Sequence, residues 1–169
     1  LDYCARSANP IGRLLMHMVD VRDREALTQS DAICTGLQLI NFWQDLSIDL
    51  PRGRLYVSTA DAACFGLDPR QLRAGADSDA SRALVRALVA WARETILNGA
   101  PLVHRLPGRM GWELRFVVQG GLRVLEAIEA ANCNALSRRP TITKADLALL
   151  AWRALRMRHP VLVPAVLNS

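Results

Sequence analysis

The sequence predicts an all-α fold, and three features of its composition point to it. The 169-residue chain is 51% hydrophobic, which allows a sizeable core. Alanine and aliphatic residues dominate, whereas aromatic residues make up only 5% of the chain. Runs of Val, Ile and Thr in strict alternation are scarce, so the dominant hydrophobic period is that of a helix. The sequence has no internal repeat and no low-complexity linker, and we expect residues 1–169 to form a single domain.

The first helices are placed by apolar spacing and by proline. A helical stretch is expected up to about Asp20, interrupted near Pro10, because proline lacks a backbone N–H donor. The polar segment VRDREALTQS should then link it to a long apolar helix from about Ser30 to Ile48. The PRG sequence that begins at Pro51 should end that helix.

Capping residues place the shorter elements that follow. A short helix from about Thr59 to Phe65 has Ser58 or Thr59 as its N-cap and Gly66 just past its end. The Asp68-Pro69 pair should open a further short turn.

Three longer helices complete the expected fold. An alanine-rich helix should run from about Asp79 to Asn98 and stop at the glycine and proline that follow. The next, from about Trp112 to Ala131, has apolar residues at helical spacing along one broad face. The last should begin at Thr143, with Asp146 completing a capping box, and should run to about Arg158.

Charge and cysteine content exclude several classes of protein. The net charge of +5 comes from 20 arginines and one lysine against 16 acidic residues, but the arginines are spread along the chain without a dense basic run. Nucleic-acid binding is therefore not predicted. Four widely spaced cysteines without CxxC motifs are expected to be reduced core residues of a cytoplasmic protein: Cys4, Cys34, Cys64 and Cys133. No apolar run approaches the roughly 20 residues that span a bilayer.

The long helix carries a polar stripe on an otherwise apolar surface. At about 100° per residue, six side chains fall within an arc of about 100°: Ser30, Cys34, Gln38, Asn41, Asp45 and Asp49. The residues around the stripe are almost all aliphatic or aromatic, as in a helix that is buried within a bundle. We therefore expect the two carboxylates to point into a cavity or cleft.

Two carboxylates one turn apart on a buried surface require a cation, a proton or an arginine. Magnesium suits the position, because it prefers oxygen ligands and commonly bridges carboxylates to the phosphates of a substrate. Asn41 offers a neutral oxygen one turn before Asp45, and no soft ligand stands nearby. Two other interpretations stay open. An isolated DxxxD motif is usually a solvated helix face, and Arg54 is alternatively a plain salt-bridge partner of Asp49.

The stripe changes character along its length. Ser30 and Cys34 are small and leave room for a bulky apolar group, whereas the acidic end would hold charge. Immediately beyond, Arg52, Arg54 and Tyr56 offer groups that suit phosphate oxygens. A molecule with a long hydrocarbon tail and a diphosphate head fits this gradient.

These residues resemble the second aspartate-rich motif of the squalene and phytoene synthase family, the head-to-head prenyl transferases. The family pattern is matched one by one by Gln38, Asn41, Asp45, Asp49, Arg54 and Tyr56. The N-terminal YCARSANPIGRL, which contains Tyr3 and Gly12, is similar to another helix of the family. The segments ELRFVVQGGLRVLEAIE and RRPTITKADLALL resemble its late helices.

Within the family, NFWQD with GRLY resembles the hydroxysqualene synthases of bacterial hopanoid pathways. Carotenoid-type members usually carry arginine where Gln44 stands, which argues against phytoene synthesis.

The resemblance implies an isoprenoid synthase fold, a helical bundle around a central cavity, and a magnesium-dependent reaction. In this branch presqualene diphosphate ionises, rearranges and is quenched by water to give hydroxysqualene. The implied magnesium ligands are Asn41, Asp45 and Asp49. The implied diphosphate ligands are Arg52, Arg54 and Tyr56. The cavity near the substrate cation is assigned Tyr3, Ser30, Cys34 and Gln38. Among all of these, the residues expected to be catalytic are Asp45, Asp49, Tyr3 and Gln38.

The family also uses a first aspartate-rich motif, and no second DxxxD occurs in the 169 residues. The chain is therefore expected to be an N-terminally truncated fragment, the C-terminal part of the family's domain. Alone it should have little or no activity, and apolar helix faces should be exposed.

Two alternatives to hydroxysqualene synthesis stay open. One is a presqualene diphosphate, squalene or phytoene synthase that condenses two prenyl diphosphates, such as farnesyl diphosphate. The other is a non-catalytic scaffold or assembly factor of the same family, against which the intact Asn41, Asp45 and Asp49 argue. A lipid product is compatible with peripheral contact at the inner face of a bacterial membrane, and the oligomeric state is not predicted.

Overall fold

The structure, a computed structural model, describes residues 1–157 apart from the Pro69 side chain. The α-helices in this part of the chain are α1 (Asp2–Ser7), α2 (Asn9–Met18), α3 (Arg24–Gln44), α4 (Leu46–Asp49), α5 (Thr59–Cys64), α6 (Pro69–Arg73), α7 (Asp79–Gly99), α8 (Gly108–Ala130) and α9 (Asp146–Arg156). Short 3₁₀ turns occur at Leu50–Arg52 and Ala100–His104. No strand occurs within residues 1–157, so the predicted all-α class is confirmed.

Three long helices, α3, α7 and α8, form the centre of the bundle, and α3 packs most extensively against α7. A Cβ atom at Gly36 would lie 2.7 Å from the Cβ of Ile96, so only glycine permits this close approach. Trp43, Leu125 and Ile128 are buried in the same hydrophobic core as Ile96. The backbone of α3 is therefore held rigidly, which fixes the position of the polar stripe.

The helix α2 packs against α3 at Gly12. A Cβ atom there would lie 2.5 Å from the Cys34 Sγ and 2.6 Å from the Ser30 Oγ. Glycine on one helix and small side chains on the other thus bring the two backbones together. The room predicted beside Ser30 and Cys34 is in part taken up by the α2 backbone.

The helix α3 begins earlier than predicted, at Arg24. Asp23 is its N-cap, and its carboxylate accepts a hydrogen bond from the Ala26 N–H at 2.9 Å. Arg105 holds this turn from outside, 2.7 Å from Asp23 and 2.8 Å from Glu25. The predicted linker is therefore wrong, because a capped polar turn can begin a helix without any apolar periodicity.

Local capping signals place α5 and α7 as predicted. Ser58 is the N-cap of α5 and accepts from the Asp61 N–H at 3.0 Å, while Gly66 past its end has a φ of +70°. The helix α7 starts at the predicted Asp79 and ends one residue beyond the predicted Asn98.

The last two helices begin at other residues than predicted. The helix α8 starts at Gly108, before the predicted Trp112, and α9 starts at Asp146, after the predicted Thr143. The Thr143 N–H does donate to the Asp146 carboxylate at 2.7 Å, so the capping contact exists although the helix begins later. The predicted end of this helix at Arg158 lies outside the described residues.

All four cysteines are free thiols. Cys4 and Cys133 are buried and Cys34 is half-buried, but Cys64 is exposed, so the prediction of a core position is wrong for Cys64. The short helix α5 buries Ala62 and leaves Cys64 on its outer side. None of the helices within residues 1–157 is long and apolar enough to cross a membrane.

Candidate active site

The two aspartates of the DxxxD motif lie where α3 ends. The Asp45 N–H donates to the Asn41 carbonyl at 3.0 Å, and the Asp49 N–H donates to the Asp45 carbonyl at 2.8 Å. Between them the helix is interrupted, and the Ser47 N–H donates to the Ala135 carbonyl at 3.1 Å. The helical register of residues 41, 45 and 49 nevertheless persists, so their oxygen-bearing side chains follow one another turn by turn.

Each of these aspartates faces an arginine. The Arg139 Nε donates to the Asp45 Oδ1 at 2.5 Å, and the Arg54 Nη1 lies 3.9 Å from the Asp49 Oδ1. The side chains of Asp45 and Asp49 are 20% and 14% exposed, whereas those of Arg139 and Arg54 are 42% and 60% exposed. The sequence left a cation, a proton or an arginine as the partner of these carboxylates. In the structure each carboxylate has an arginine partner, and one of the two pairs is Arg54–Asp49.

The acidic end of the stripe lies at the surface of the described residues. Asn41 is exposed, and Asp45 and Asp49 are only partly buried. Within residues 1–157 the two carboxylates are therefore largely covered by neighbouring groups yet reach solvent, and the cavity or cleft expected around them stays a prediction.

The residues at this end fit a magnesium ion by the chemistry of their donor atoms. Two carboxylates and one amide oxygen, all one turn apart, are hard ligands, and their partial exposure leaves space for the waters that magnesium retains. Within residues 1–157 no group of three or more His, Cys, Asp and Glu side chains lies close enough to hold a metal. Asn41, Asp45 and Asp49 would thus form one incomplete side of a coordination shell.

The other end of the stripe lines an apolar groove with a volume of about 530 Å³. Its walls come from α1, α2, α3, α8 and the 3₁₀ turn before α8. The stripe residues that face it are Ser30, Cys34 and Gln38, and the apolar lining includes Ile11, Leu15, Met16, Ile33, Leu37, Leu102, Leu114 and Val117. Burial raises the pKa of the Cys34 thiol, so this side chain stays neutral and acts as an apolar wall.

An aromatic cluster is formed by Tyr3 of α1, Phe42 of α3 and Tyr56 of the segment before α5, and Phe42 lies one turn beyond Gln38. The Tyr56 ring stacks on Phe42 with ring centres 3.9 Å apart and an interplanar angle of 13°. The Tyr3 ring centre is 5.7 Å from that of Phe42 and 6.3 Å from that of Tyr56. Tyr3 is therefore next to Tyr56 and is not among the residues that line the groove.

The remaining predicted diphosphate ligands lie on the segment after Asp49. Arg52 and Arg54 are exposed, and Arg52 forms no ion pair within residues 1–157. The Arg54 N–H donates to the Asp49 carbonyl at 3.0 Å, which folds the segment back on the end of the motif. Their charges thus remain beside the motif aspartates and accessible to an anion.

Sequence reasoning missed two residues of this site. Phe42 belongs by its spacing to the apolar surface around the stripe, but its ring contacts the rings of both Tyr3 and Tyr56. Arg139 lies 94 positions from Asp45, and no local spacing could pair them. The one available signal was the segment that begins RRP, which resembles the late helices of the family. That resemblance suggested no role for Arg139.

A family model described as "Squalene/phytoene synthase" matches residues 1–146. The chain belongs to the squalene/phytoene synthase family. The match covers the polar stripe, the aromatic cluster and Arg139, and so includes every contact of the site described above.

Relatives with assigned functions come from two branches of the family. The hydroxysqualene synthase of Sinorhizobium fredii is 33% identical over 121 residues, which are 70% of this chain and 39% of the relative. The phytoene synthase of Thermus thermophilus is 29% identical over 95% of this chain and 55% of its own length. The 15-cis-phytoene synthase of Synechocystis sp. is 27% identical over 89% of this chain and 49% of its own length.

A solved structure shares the fold. The squalene synthase HpnC from Alicyclobacillus acidocaldarius matches with a TM-score of 0.76 and 36% identity, over 79% of this chain and 51% of that chain. The isoprenoid synthase fold expected from the resemblance is therefore confirmed. The chain spans about half the length of the relatives that it matches.

Proposed function

We propose that this chain supplies one side of the active site of a magnesium-dependent isoprenoid synthase that converts presqualene diphosphate to hydroxysqualene. The observation that carries the proposal is a single stripe of side chains that runs along α3 and keeps its helical register past the end of α3 into α4. Ser30, Cys34 and Gln38 on α3 face an apolar groove, and the same stripe ends in the hard ligands Asp45 and Asp49. A prenyl diphosphate has the same division between an apolar tail and an anionic head.

The charged end would hold the diphosphate. Asn41, Asp45 and Asp49 would bind magnesium, which when bound supplies Lewis-acid stabilisation of the leaving group. Arg52 and Arg54 are exposed beside these ligands and would add positive charge that the departing diphosphate requires. Tyr56, held by its stacking on Phe42, would present its hydroxyl toward the same end.

The apolar end would govern what happens after ionisation. The groove has a mainly aliphatic lining, so water is kept from a cationic intermediate while it rearranges. Gln38 contributes a polar group to this lining, and Tyr3 lies nearby at the aromatic cluster. In the proposed reaction the C–O bond to diphosphate breaks, the cation rearranges, and a water oxygen forms the final bond and loses a proton.

The hydroxysqualene branch is supported by the similarity to the Sinorhizobium enzyme and by the role of Gln44. The Gln44 Nε2 donates to the Pro140 carbonyl at 2.8 Å, so the residue that departs from the carotenoid-type pattern has a defined structural contact. The competing reaction, condensation of two prenyl diphosphates to presqualene diphosphate, squalene or phytoene, is favoured by the several phytoene synthases among the relatives. A non-catalytic scaffold has less support, because it has no need of the hard ligands along α3.

We also propose that residues 1–169 are a single domain unit, the C-terminal part of the family's domain. The full-length protein would deliver its product at a membrane surface. The helix α9 presents Leu147, Trp152 and Leu155 to solvent, with exposed fractions of 62%, 52% and 67%. The Arg156 guanidinium lies 4.3 Å from the centre of the Trp152 ring. Apolar and aromatic side chains beside arginine are typical of a helix that lies on an anionic lipid surface.

Product analysis tests the reaction. The full-length protein is incubated with magnesium and presqualene diphosphate in the absence of NADPH, beside Asp45→Ala and the control Asp79→Ala, and products are identified by mass spectrometry. We expect hydroxysqualene from the wild type and from Asp79→Ala, because Asp79 is exposed on α7, and none from Asp45→Ala. No conversion of presqualene, farnesyl or geranylgeranyl diphosphate by the wild type would overturn the enzyme assignment.

A further inference from the structure

The Asp45 carboxylate has a counter-ion that the proposed reaction does not use. The Arg139 Nε donates to its Oδ1 at 2.5 Å, and the two residues are 94 positions apart. Arg139 lies between α8 and α9, on a segment that contacts the end of α3. It therefore reaches the motif from a different part of the bundle than Arg52 and Arg54 do.

The backbone around Arg139 is fastened to the end of α3 at two further points. The Gln44 Nε2 donates to the Pro140 carbonyl at 2.8 Å, and the Ser47 N–H donates to the Ala135 carbonyl at 3.1 Å. Ala135 and Pro140 are buried. Gln44 and Ser47 lie on either side of Asp45 in the chain, and Ala135 and Pro140 lie on either side of Arg139. The two hydrogen bonds therefore hold the backbone that places the guanidinium beside the carboxylate.

A guanidinium and a divalent cation compete for the same carboxylate oxygens. Arginine cannot release its proton in a protein, so it does not leave the pair by becoming neutral. It can leave by moving, since its side chain is 42% exposed and has solvent to enter. Binding of a cation at the Asp45 Oδ1 therefore includes the cost of breaking the Arg139 contact.

Asp49 provides an internal comparison. Its arginine partner, Arg54, lies 3.9 Å away and is 60% exposed, which is a weak and screened pair. The two carboxylates of the motif thus differ in accessibility to a cation. Asp49 has only the weak Arg54 pair, whereas the Oδ1 of Asp45 already accepts a hydrogen bond from Arg139.

We propose that Arg139 is the resident counter-ion of Asp45 and is displaced when a divalent cation binds, so that it sets the metal affinity of the site. This inference rests on the proposed metal-binding role of Asp45. Arg139 acts through Asp45 and is a positioning residue. In the absence of metal it holds the carboxylate in its place, and it makes the site bind free cations weakly.

The test is a titration of the full-length protein with Mn²⁺, followed by the electron paramagnetic resonance signal of the free ion. Arg139→Gln should bind Mn²⁺ about threefold to tenfold more tightly than the wild type, because the competing charge is gone. Arg139→Lys keeps a cation at the position and should stay close to wild type. Arg138→Gln is the matched control, since this neighbouring exposed arginine forms no ion pair within residues 1–157 and should leave the affinity unchanged.

Asp45→Asn separates the inference from the proposed function. If Asp45→Asn binds Mn²⁺ as well as the wild type does, the metal site itself is wrongly placed and both claims fail. If Asp45→Asn weakens binding but Arg139→Gln binds no more tightly than Arg138→Gln, only the displacement of Arg139 is overturned. Weaker binding by Arg139→Gln would likewise overturn it and show Arg139 to be a support of the site.

Discussion

At Gly12 the absence of one side chain decides how closely α2 approaches α3. A methyl group there would lie 2.5 Å from the Cys34 Sγ and 2.6 Å from the Ser30 Oγ. We expect Gly12→Ala to lower the free energy of unfolding by about 1–3 kcal/mol, because overpacking pushes the two helices apart. Urea unfolding followed by circular dichroism measures the change.

Gly120 is the matched control for this substitution. It lies within α8, and a Cβ atom there would have no neighbour within 4 Å. Gly120→Ala should leave the free energy of unfolding unchanged or raise it by about 0.5–1 kcal/mol, because alanine has a higher helix propensity than glycine. Equal destabilisation by the two substitutions would contradict the close-packing account of Gly12.

Individual residues also show where prediction from sequence succeeds. The polar stripe on α3 could be predicted, because six residues at helical spacing need only the period of a helix to be brought together. The partner of Asp45 could not be predicted, since Arg139 reaches it through the packing of a segment 94 positions away. The cavity or cleft expected around the carboxylates stays a prediction, because their surroundings depend on which other elements extend over the end of α3.

Among the elements, α9 is joined to α8 by two ion pairs, in addition to the burial of its Leu150 and Ala154. Arg123 of α8 lies 2.8 Å from Asp146 at the start of α9, and Arg153 of α9 lies 2.6 Å from Glu126 of α8. The Thr143 N–H and the Arg123 guanidinium lower the pKa of Asp146 from 3.8 to about 2. The folded protein therefore favours the ionised form of this carboxylate, first through the local Thr143 turn and second through the Arg123 contact between α8 and α9.

The pKa of Asp146 predicts how α9 docking depends on pH. Because the pKa is lower in the folded state, its contribution to stability is complete above pH 3.8 and is lost as pH falls towards about 2. Asp146→Asn should remove this part of the acid sensitivity, so the unfolding free energy of the variant should change less across that range. Urea unfolding at several acidic pH values measures the slope.

Glu94 is a suitable control for the pH experiment, since it is exposed on α7 and forms no ion pair within residues 1–157. Glu94→Gln should retain the slope of the wild type. A variant with Asp146→Asn that shows the wild-type slope would contradict a role for Asp146 in joining α9 to α8.

Element boundaries were predictable where a local signal sets them. Ser58 and Asp79 begin α5 and α7 as expected, because side-chain caps and flanking turn residues act within a few positions. The start of α3 was not predictable from apolar spacing, since its first turn is polar and is held by Arg105 from a distant turn. Tertiary contacts of this kind override the local pattern.

For the whole molecule, the exposed apolar face of α9 predicts binding to anionic membranes. Leu155 is 67% exposed, and Arg156 lies beside it. Sedimentation with phosphatidylglycerol vesicles should bring down the wild-type protein, and Leu155→Glu should weaken binding severalfold, because it places a charge on the apolar face.

Leu97 provides the control for vesicle binding, since it is 47% exposed on α7 and lies outside the α9 face. Leu97→Glu should bind vesicles like the wild type. Equal loss of binding for both variants, or equal binding to neutral phosphatidylcholine vesicles, would contradict a membrane-binding role for α9.

The most direct test of the account is the release of diphosphate from presqualene diphosphate by the full-length protein as magnesium is added. Asp49→Asn should slow release by at least about 100-fold at saturating substrate, because a metal ligand contributes several kcal/mol to stabilising the leaving group. Asp79→Asn, which changes an exposed carboxylate on α7, should release diphosphate at the wild-type rate. Magnesium-dependent release by Asp49→Asn at the wild-type rate would contradict the assignment of the α3 stripe as the metal and diphosphate site.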